Sequence, residues 1–67
     1  MKTAKYYVAI VHDKDKGYTG YICKAYSKKQ MRDRGMNMRL DWSRYNTKSE
    51  AEVQTADCSE VRETILA

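Results

Sequence analysis

The chain has 67 residues, 42% hydrophobic and 33% charged, with 13 Lys or Arg against 9 Asp or Glu for a net charge of +4. That length makes one small domain, which buries only about 60% of the surface its unfolded form exposes, so large enzymes and multidomain scaffolds are excluded. Six of the hydrophobic residues are Ala, nine are Val, Ile or Leu and none is Phe, so six Tyr, four Met and one Trp must supply the bulk of any core.

Residues 4–12 (AKYYVAIVH) are β-branched and aromatic, which suits a strand. The sequence DKDKG at 13–17 has the composition of a solvated hairpin turn, with Gly17 free to take a positive φ. YTGYICKAY at 18–26 reads as the return strand. If residues 12 and 18 pair across the turn, one face carries Tyr6, Val8, Ile10, Ile22 and Tyr26, and the other carries Tyr7, Ala9, Val11, Tyr21 and Cys23. The first set is the more apolar and is the expected core face.

Ser27 has the chemistry of an N-cap for a short helix through residues 28–34, closed by Gly35 at C′, although a basic loop fits the same residues. In residues 36–45, Met36, Met38, Leu40 and Trp42 alternate with polar neighbours, the pattern of a half-buried strand. NTKS at 46–49 is a turn, and residues 50–56 pair back as a fourth strand with Ala51, Val53 and Thr55 on one side. Asp57 followed by Glu60 has capping-box spacing, and Cys58, Val61 and Ile65 then share a helical face. The alternative for 57–67 is a fifth strand. The expected fold is therefore α+β, a small antiparallel sheet of about four strands in two hairpins with a C-terminal helix, all within one domain spanning 1–67. A five-stranded small β-barrel is the alternative.

Two cysteines, Cys23 and Cys58, permit one disulfide at most. The apolar run from Tyr6 to Val11 is too short for a signal h-region, so a cytoplasmic protein with free thiols is expected. No run approaches the roughly 20 apolar residues of a membrane-spanning helix. His12, Cys23 and Cys58 are the only soft ligands, fewer than a closed zinc site uses, and Asp13 and Asp15 belong to a turn. His12 has no neighbouring nucleophile in sequence. Neither a metal, a cofactor nor catalysis is expected.

Charge is unevenly placed. Residues 1–45 carry eleven basic and four acidic residues, whereas residues 46–67 carry two basic and five acidic ones. An asymmetry of this sign points to an anionic partner. Lys24, Lys28, Lys29, Arg32, Arg34, Arg39 and Arg44 are interleaved with Tyr26, Trp42 and Tyr45, the composition of a groove that holds phosphates with cations while aromatics stack bases. Tyr6, Tyr18 and Tyr26 are assigned to packing. Tyr7 and Tyr21, on the weaker hairpin face, are the candidate exposed platform, with Trp42 as a further aromatic contact.

AIV at 9–11 followed by DKGYTGYIC at 15–23 resembles the first hairpin of cold-shock nucleic-acid-binding modules, in which a Lys-Gly pair leads into aromatics alternating with glycine. Lys16, Gly17, Tyr18, Gly20, Tyr21 and Ile22 carry the resemblance, which implies an OB-type five-stranded barrel whose aromatics stack bases. Thr19 departs from the pattern and sends Tyr18 and Tyr21 to opposite faces unless Thr19 and Gly20 form a β-bulge. In size and layout the chain also resembles the small proteins that phages deploy against host machinery, including anti-CRISPR proteins. That likeness, of size and layout alone, implies an inhibitor or adaptor gripping a host nucleic-acid-handling complex; in such a reading Tyr7, Tyr21, Trp42 and Arg39 are the anchors, because Trp, Tyr and Arg dominate interface hot spots. The two functional expectations are thus a small basic nucleic-acid-binding protein and an inhibitor acting by protein contact. A homodimer stays open, because an edge strand in so small a sheet invites a partner strand.

Overall fold

A computed structural model describes residues 3–67. Strands β1 (Lys5–Asp13) and β2 (Gly17–Ala25) pair antiparallel, in continuous register from Lys5 opposite Ala25 to Asp13 opposite Gly17. His12 stands opposite Tyr18, as the turn composition predicts. The turn closes where Asp13 Oδ1 accepts the Asp15 N–H at 2.9 Å and Gly17 takes φ +82°, a local side-chain turn followed by the left-handed residue that glycine adopts without cost. Val11 stands opposite Thr19 and Ile10 opposite Gly20. The ladder thus holds no bulge at this point, and Tyr18 and Tyr21 point to opposite faces.

Helix α1 (Lys28–Asp33) follows, capped by Ser27, whose Oγ accepts the Gln30 N–H at 3.2 Å, and closed where the Gly35 N–H donates to the Arg32 carbonyl. The predicted helix is therefore present. Residues 36–42, predicted as a strand, form a loop. Asn37 Oδ1 accepts the Arg39 N–H at 3.0 Å and the Asn37 carbonyl accepts Trp42 Nε1–H at 2.9 Å. The asparagine thus offers the backbone a turn in place of a ladder. Met36, Met38, Leu40 and Trp42 still turn inward, so the alternation marks alternate burial along a loop lying on the sheet. Only Ser43–Tyr45 pair as a strand, β3, antiparallel to β1 with Tyr7 opposite Arg44.

The second half departs further. Residues 46–49, predicted as a turn, and 50–56, predicted as a strand, instead supply α2 (Lys48–Gln54), because Thr47 Oγ1 accepts the Glu50 N–H at 3.2 Å and caps a run of helix formers. Its buried Ala51 and the buried C-cap Thr55 lie four apart, at helical spacing. Within residues 57–67, expected as a helix with a strand as the alternative, the strand forms: β4 (Glu60–Ile65), parallel to β2. Val61, Thr64 and Ile65 are β-branched, and a strand along the edge of β2 pairs its backbone without displacing the cover on either sheet face. β4 is fastened at both ends: the Ser59 N–H donates to the Tyr18 carbonyl at 2.9 Å and the Leu66 N–H to the Lys24 carbonyl at 2.8 Å.

The result is an α+β domain with a four-stranded mixed sheet in the order β3-β1-β2-β4, neither wholly antiparallel nor a five-stranded barrel. The register divides its side chains between two faces. On the Tyr7 face, Tyr7, Ala9, Cys23 and Ala25 are buried against Met31 of α1 and Trp42, with Tyr21, Met36, Met38, Leu40 and Leu66 packed around them. On the Val8 face, Val8 and Ile22 meet Ala51 of α2, flanked by Tyr6 and Tyr45. The methionine loop and Val8 therefore occupy different clusters, so the core lies on both faces of the sheet and not on the expected face alone. The Tyr7 face, expected to be the poorer, holds the larger cluster, while Ile10, Tyr18 and Tyr26 are exposed.

A candidate nucleic-acid interface

The sheet separates two covers of opposite charge. Residues 26–45, which supply α1, the loop over the Tyr7 face and β3, contain six basic and two acidic residues. Residues 46–57, which supply α2 over the Val8 face, contain one basic and three acidic residues. A helix or loop that buries one stripe turns the remainder to solvent. Met31 points in and is fully buried, while Lys28, Lys29, Arg32 and Arg34 are exposed around it.

Six of the seven predicted cations belong to the cover over the Tyr7 face. Lys28 on α1 and Arg44 on β3 border an open hollow of about 380 Å³ with Tyr7 at its base and Ser27 at its side. Lys29 and Arg34 border a second, of about 370 Å³, with Tyr26, Ser27, Gln30 and Asp33. Ser27 belongs to both, so the two hollows adjoin. Arg32 is exposed on α1 and Arg39 on the methionine loop. The seventh, Lys24, faces the other way: Cα pairing sets it with Tyr6 on the Val8 face, its Nζ 6.0 Å from the Tyr6 ring centroid, the outer limit of a cation–π contact.

None of these seven cations forms an ion pair among the described residues. The pairs there are Lys48 with Glu63 at 3.6 Å and Arg62 with Glu60 at 3.1 Å, both solvent-exposed and outside the basic cover. Exposed pairs of that kind contribute at most about 1 kcal/mol. The basic cover is left with its charge uncompensated at contact range.

The predicted aromatic platform is corrected. Tyr7 is 4% exposed and Trp42 5%, too buried to stack on a base. They are buried because the chain has no Phe, and these rings are the bulk available to fill the Tyr7 face. Trp42 Nε1–H donates to the Asn37 carbonyl, the internal partner that a buried indole requires. Tyr21 is half-buried beside Met36, Leu40, Trp42 and Arg62. Tyr26, assigned to packing from sequence, is 45% exposed. The signal that could have found it is spacing: 26, 29, 30, 33 and 34 recur at three and four residues, one side of a helix and its lead-in.

His12 lies against Tyr18 with ring centroids 4.6 Å apart. Cys23 and Cys58 are free thiols, and burial pushes the Cys23 thiol up from its ordinary value. No helix among the described residues is long and apolar enough to cross a membrane. The chain matches no protein-family model, no curated protein and no solved structure.

Proposed function

We propose that this chain is a small, non-catalytic nucleic-acid-binding protein that grips the phosphate backbone with Lys28, Lys29, Arg32, Arg34, Arg39 and Arg44. The observation that carries the reading is the cover of residues 26–45, whose exposed cations have no ion-pair partner among the described residues. Lysine and arginine in that state release counterions from a polyanion on contact, which is the main source of sequence-independent affinity. The acidic α2 cover turns the opposite face away from phosphate, so only one orientation brings like to unlike.

The inhibitor reading needs accessible anchors. Two of its four, Tyr7 and Trp42, are buried, which leaves Tyr21 and Arg39. The basic cover serves a polyanion without them.

The deciding measurement is a titration of labelled oligonucleotide by anisotropy between about 50 and 200 mM salt, where each phosphate contact on duplex adds about 0.9 to the negative slope of log K on log salt. The expected slope is several units, up to about −5 if all six cations engage. A flat slope, or no binding at low salt, overturns the proposal. A lysate pull-down separates the inhibitor: partners lost on nuclease treatment support nucleic-acid binding, and a partner retained supports protein contact.

A further inference from the structure

We infer that the hollow beside α1 is a single-nucleotide subsite, in which Tyr26 stacks an unpaired base while Lys29 and Arg34 hold the adjoining phosphate. The inference rests on the polyanion reading above and deepens it, by making the ligand a single strand.

The lining is an aromatic ring, two cations, an acid and two neutral polar side chains around about 370 Å³ of open space, within the volume range of small-ligand sites. Lys29 and Asp33 are four residues apart, as are Gln30 and the C-cap Arg34, so both pairs lie on one side of α1 and its cap, next to the ring of Tyr26 just past β2. This is the flank of the helix, and its recognition groups are side chains.

Two hydrogen bonds fix the backbone that carries the ring. Gln30 Oε1 accepts the Tyr26 N–H at 2.8 Å and Gln30 Nε2–H donates to the Leu66 carbonyl at 3.1 Å, which ties the backbone of Tyr26 to both α1 and the end of β4. With both ends of its amide engaged, Gln30 holds the frame. The Tyr26 ring meanwhile remains the large apolar surface left open beside free cations, and it offers a π-face to which every base can stack.

Asp33 sorts the ligand's parts. An ionised carboxylate accepts hydrogen bonds and repels phosphate, so it faces the base, where an exocyclic amine supplies the donor. Phosphate falls to Lys29 and Arg34. A duplex keeps its bases stacked inside and gives Tyr26 nothing to stack on, so the subsite adds affinity for single strands alone.

The test is anisotropy with a labelled single-stranded 12-mer, as DNA and as RNA, and with the corresponding DNA duplex, on wild type, Tyr26→Ala and Tyr26→Phe. Circular dichroism and Trp42 emission confirm that each variant is folded. Tyr26→Ala is expected to weaken single-strand binding about tenfold, to leave duplex binding and the salt slope unchanged, and Tyr26→Phe is expected to restore affinity. Comparing the DNA and RNA strands tells which sugar the subsite accepts, and loss on either supports it. Equal loss on single strand and duplex, or no loss on either strand, overturns the subsite while the polyanion reading stands. Absence of any wild-type binding overturns both.

Discussion

The cover over the Tyr7 face and the cover over the Val8 face differ in two ways at once. The first inserts Met31 and Trp42 among Tyr7, Ala9, Cys23 and Ala25. The second inserts Ala51 against Val8 and Ile22, with the buried Thr55 over Gly20 of β2. The first is also the basic cover and the second the acidic one. One segment thus supplies most of the packing and most of the free cations, from opposite sides of the same short elements. Side chains that point in hold the scaffold rigid, and those that point out are set on it, so the candidate interface inherits the rigidity of the larger cluster.

The division can be broken from either side. Triple charge reversal at Lys28→Glu, Lys29→Glu and Arg32→Glu is expected to reduce oligonucleotide affinity by at least about a hundredfold, since three phosphate contacts become repulsions. The reversal Glu50→Lys with Glu52→Lys on α2 is expected to leave affinity unchanged or raise it. An equal response from both covers in the same titration would erase the distinction between them. On stability, Met31→Ala empties a fully buried site and is expected to cost about 2–5 kcal/mol, against a total of about 3–10 kcal/mol for a domain of this length. Val53→Ala on α2, where the residue is 70% exposed, is expected to stay within about 0.5 kcal/mol. Urea titration followed by Trp42 emission reads both.

A finer comparison concerns how closely α2 approaches the sheet. A Cβ on Gly20 would lie 2.7 Å from Thr55 Cγ2 and 3.1 Å from Cys58 Sγ, closer than carbon atoms pack. Gly20→Ala is expected to destabilise the fold by about 1–3 kcal/mol. Adding Thr55→Ser removes the Cγ2 methyl but keeps the hydroxyl that donates to the Ala51 carbonyl at 3.2 Å, so the pair should recover part of the loss. Additive losses in the double variant would show that Thr55 is not the obstruction.

The smallest effect is chemical. Alkylation of native protein at neutral pH should modify the partly exposed Cys58 and spare the buried Cys23, which reacts only on unfolding. Burial raises the Cys23 pKa in the folded state, so its contribution to stability is complete below the ordinary thiol range and is lost as pH rises through and above it. Mass spectrometry of tryptic peptides locates the label, and equal modification of both cysteines would contradict the burial of Cys23.

What the sequence made legible was local. The hairpin register, the Asp13 turn with Gly17, and the Ser27 cap with Gly35 each depend on residues within a few positions of one another. The errors came where one pattern serves two structures. Inward-facing residues at every second position describe a strand, and equally a loop such as 36–42 whose Asn37 bends it over a sheet. Asp57 and Glu60 have capping-box spacing, yet so do Thr47 and Glu50 ten residues earlier, and the second pair begins the helix. Choosing between them requires knowing that both sheet faces are covered and that the edge of β2 offers unpaired backbone, a property of the assembled sheet. The cations were legible because long charged side chains stay in water wherever they fall. Which aromatic stays outside was not, because Tyr7 and Tyr26 differ only in what packs over them.

The parallel pairing of β4 with β2 sets Thr19 beside Glu60 and Lys24 beside Ile65, so this ladder forms only after the whole intervening chain has been arranged. A hairpin such as β1 and β2 closes in about 1–10 μs, while a ladder joining distant segments must first meet the entropy of closing a long loop. The hairpin and α1 are therefore expected to form ahead of β4 along the folding route. Until β4 arrives the edge of β2 stands unpaired, and in that interval the chain is most open to a strand from a neighbouring molecule.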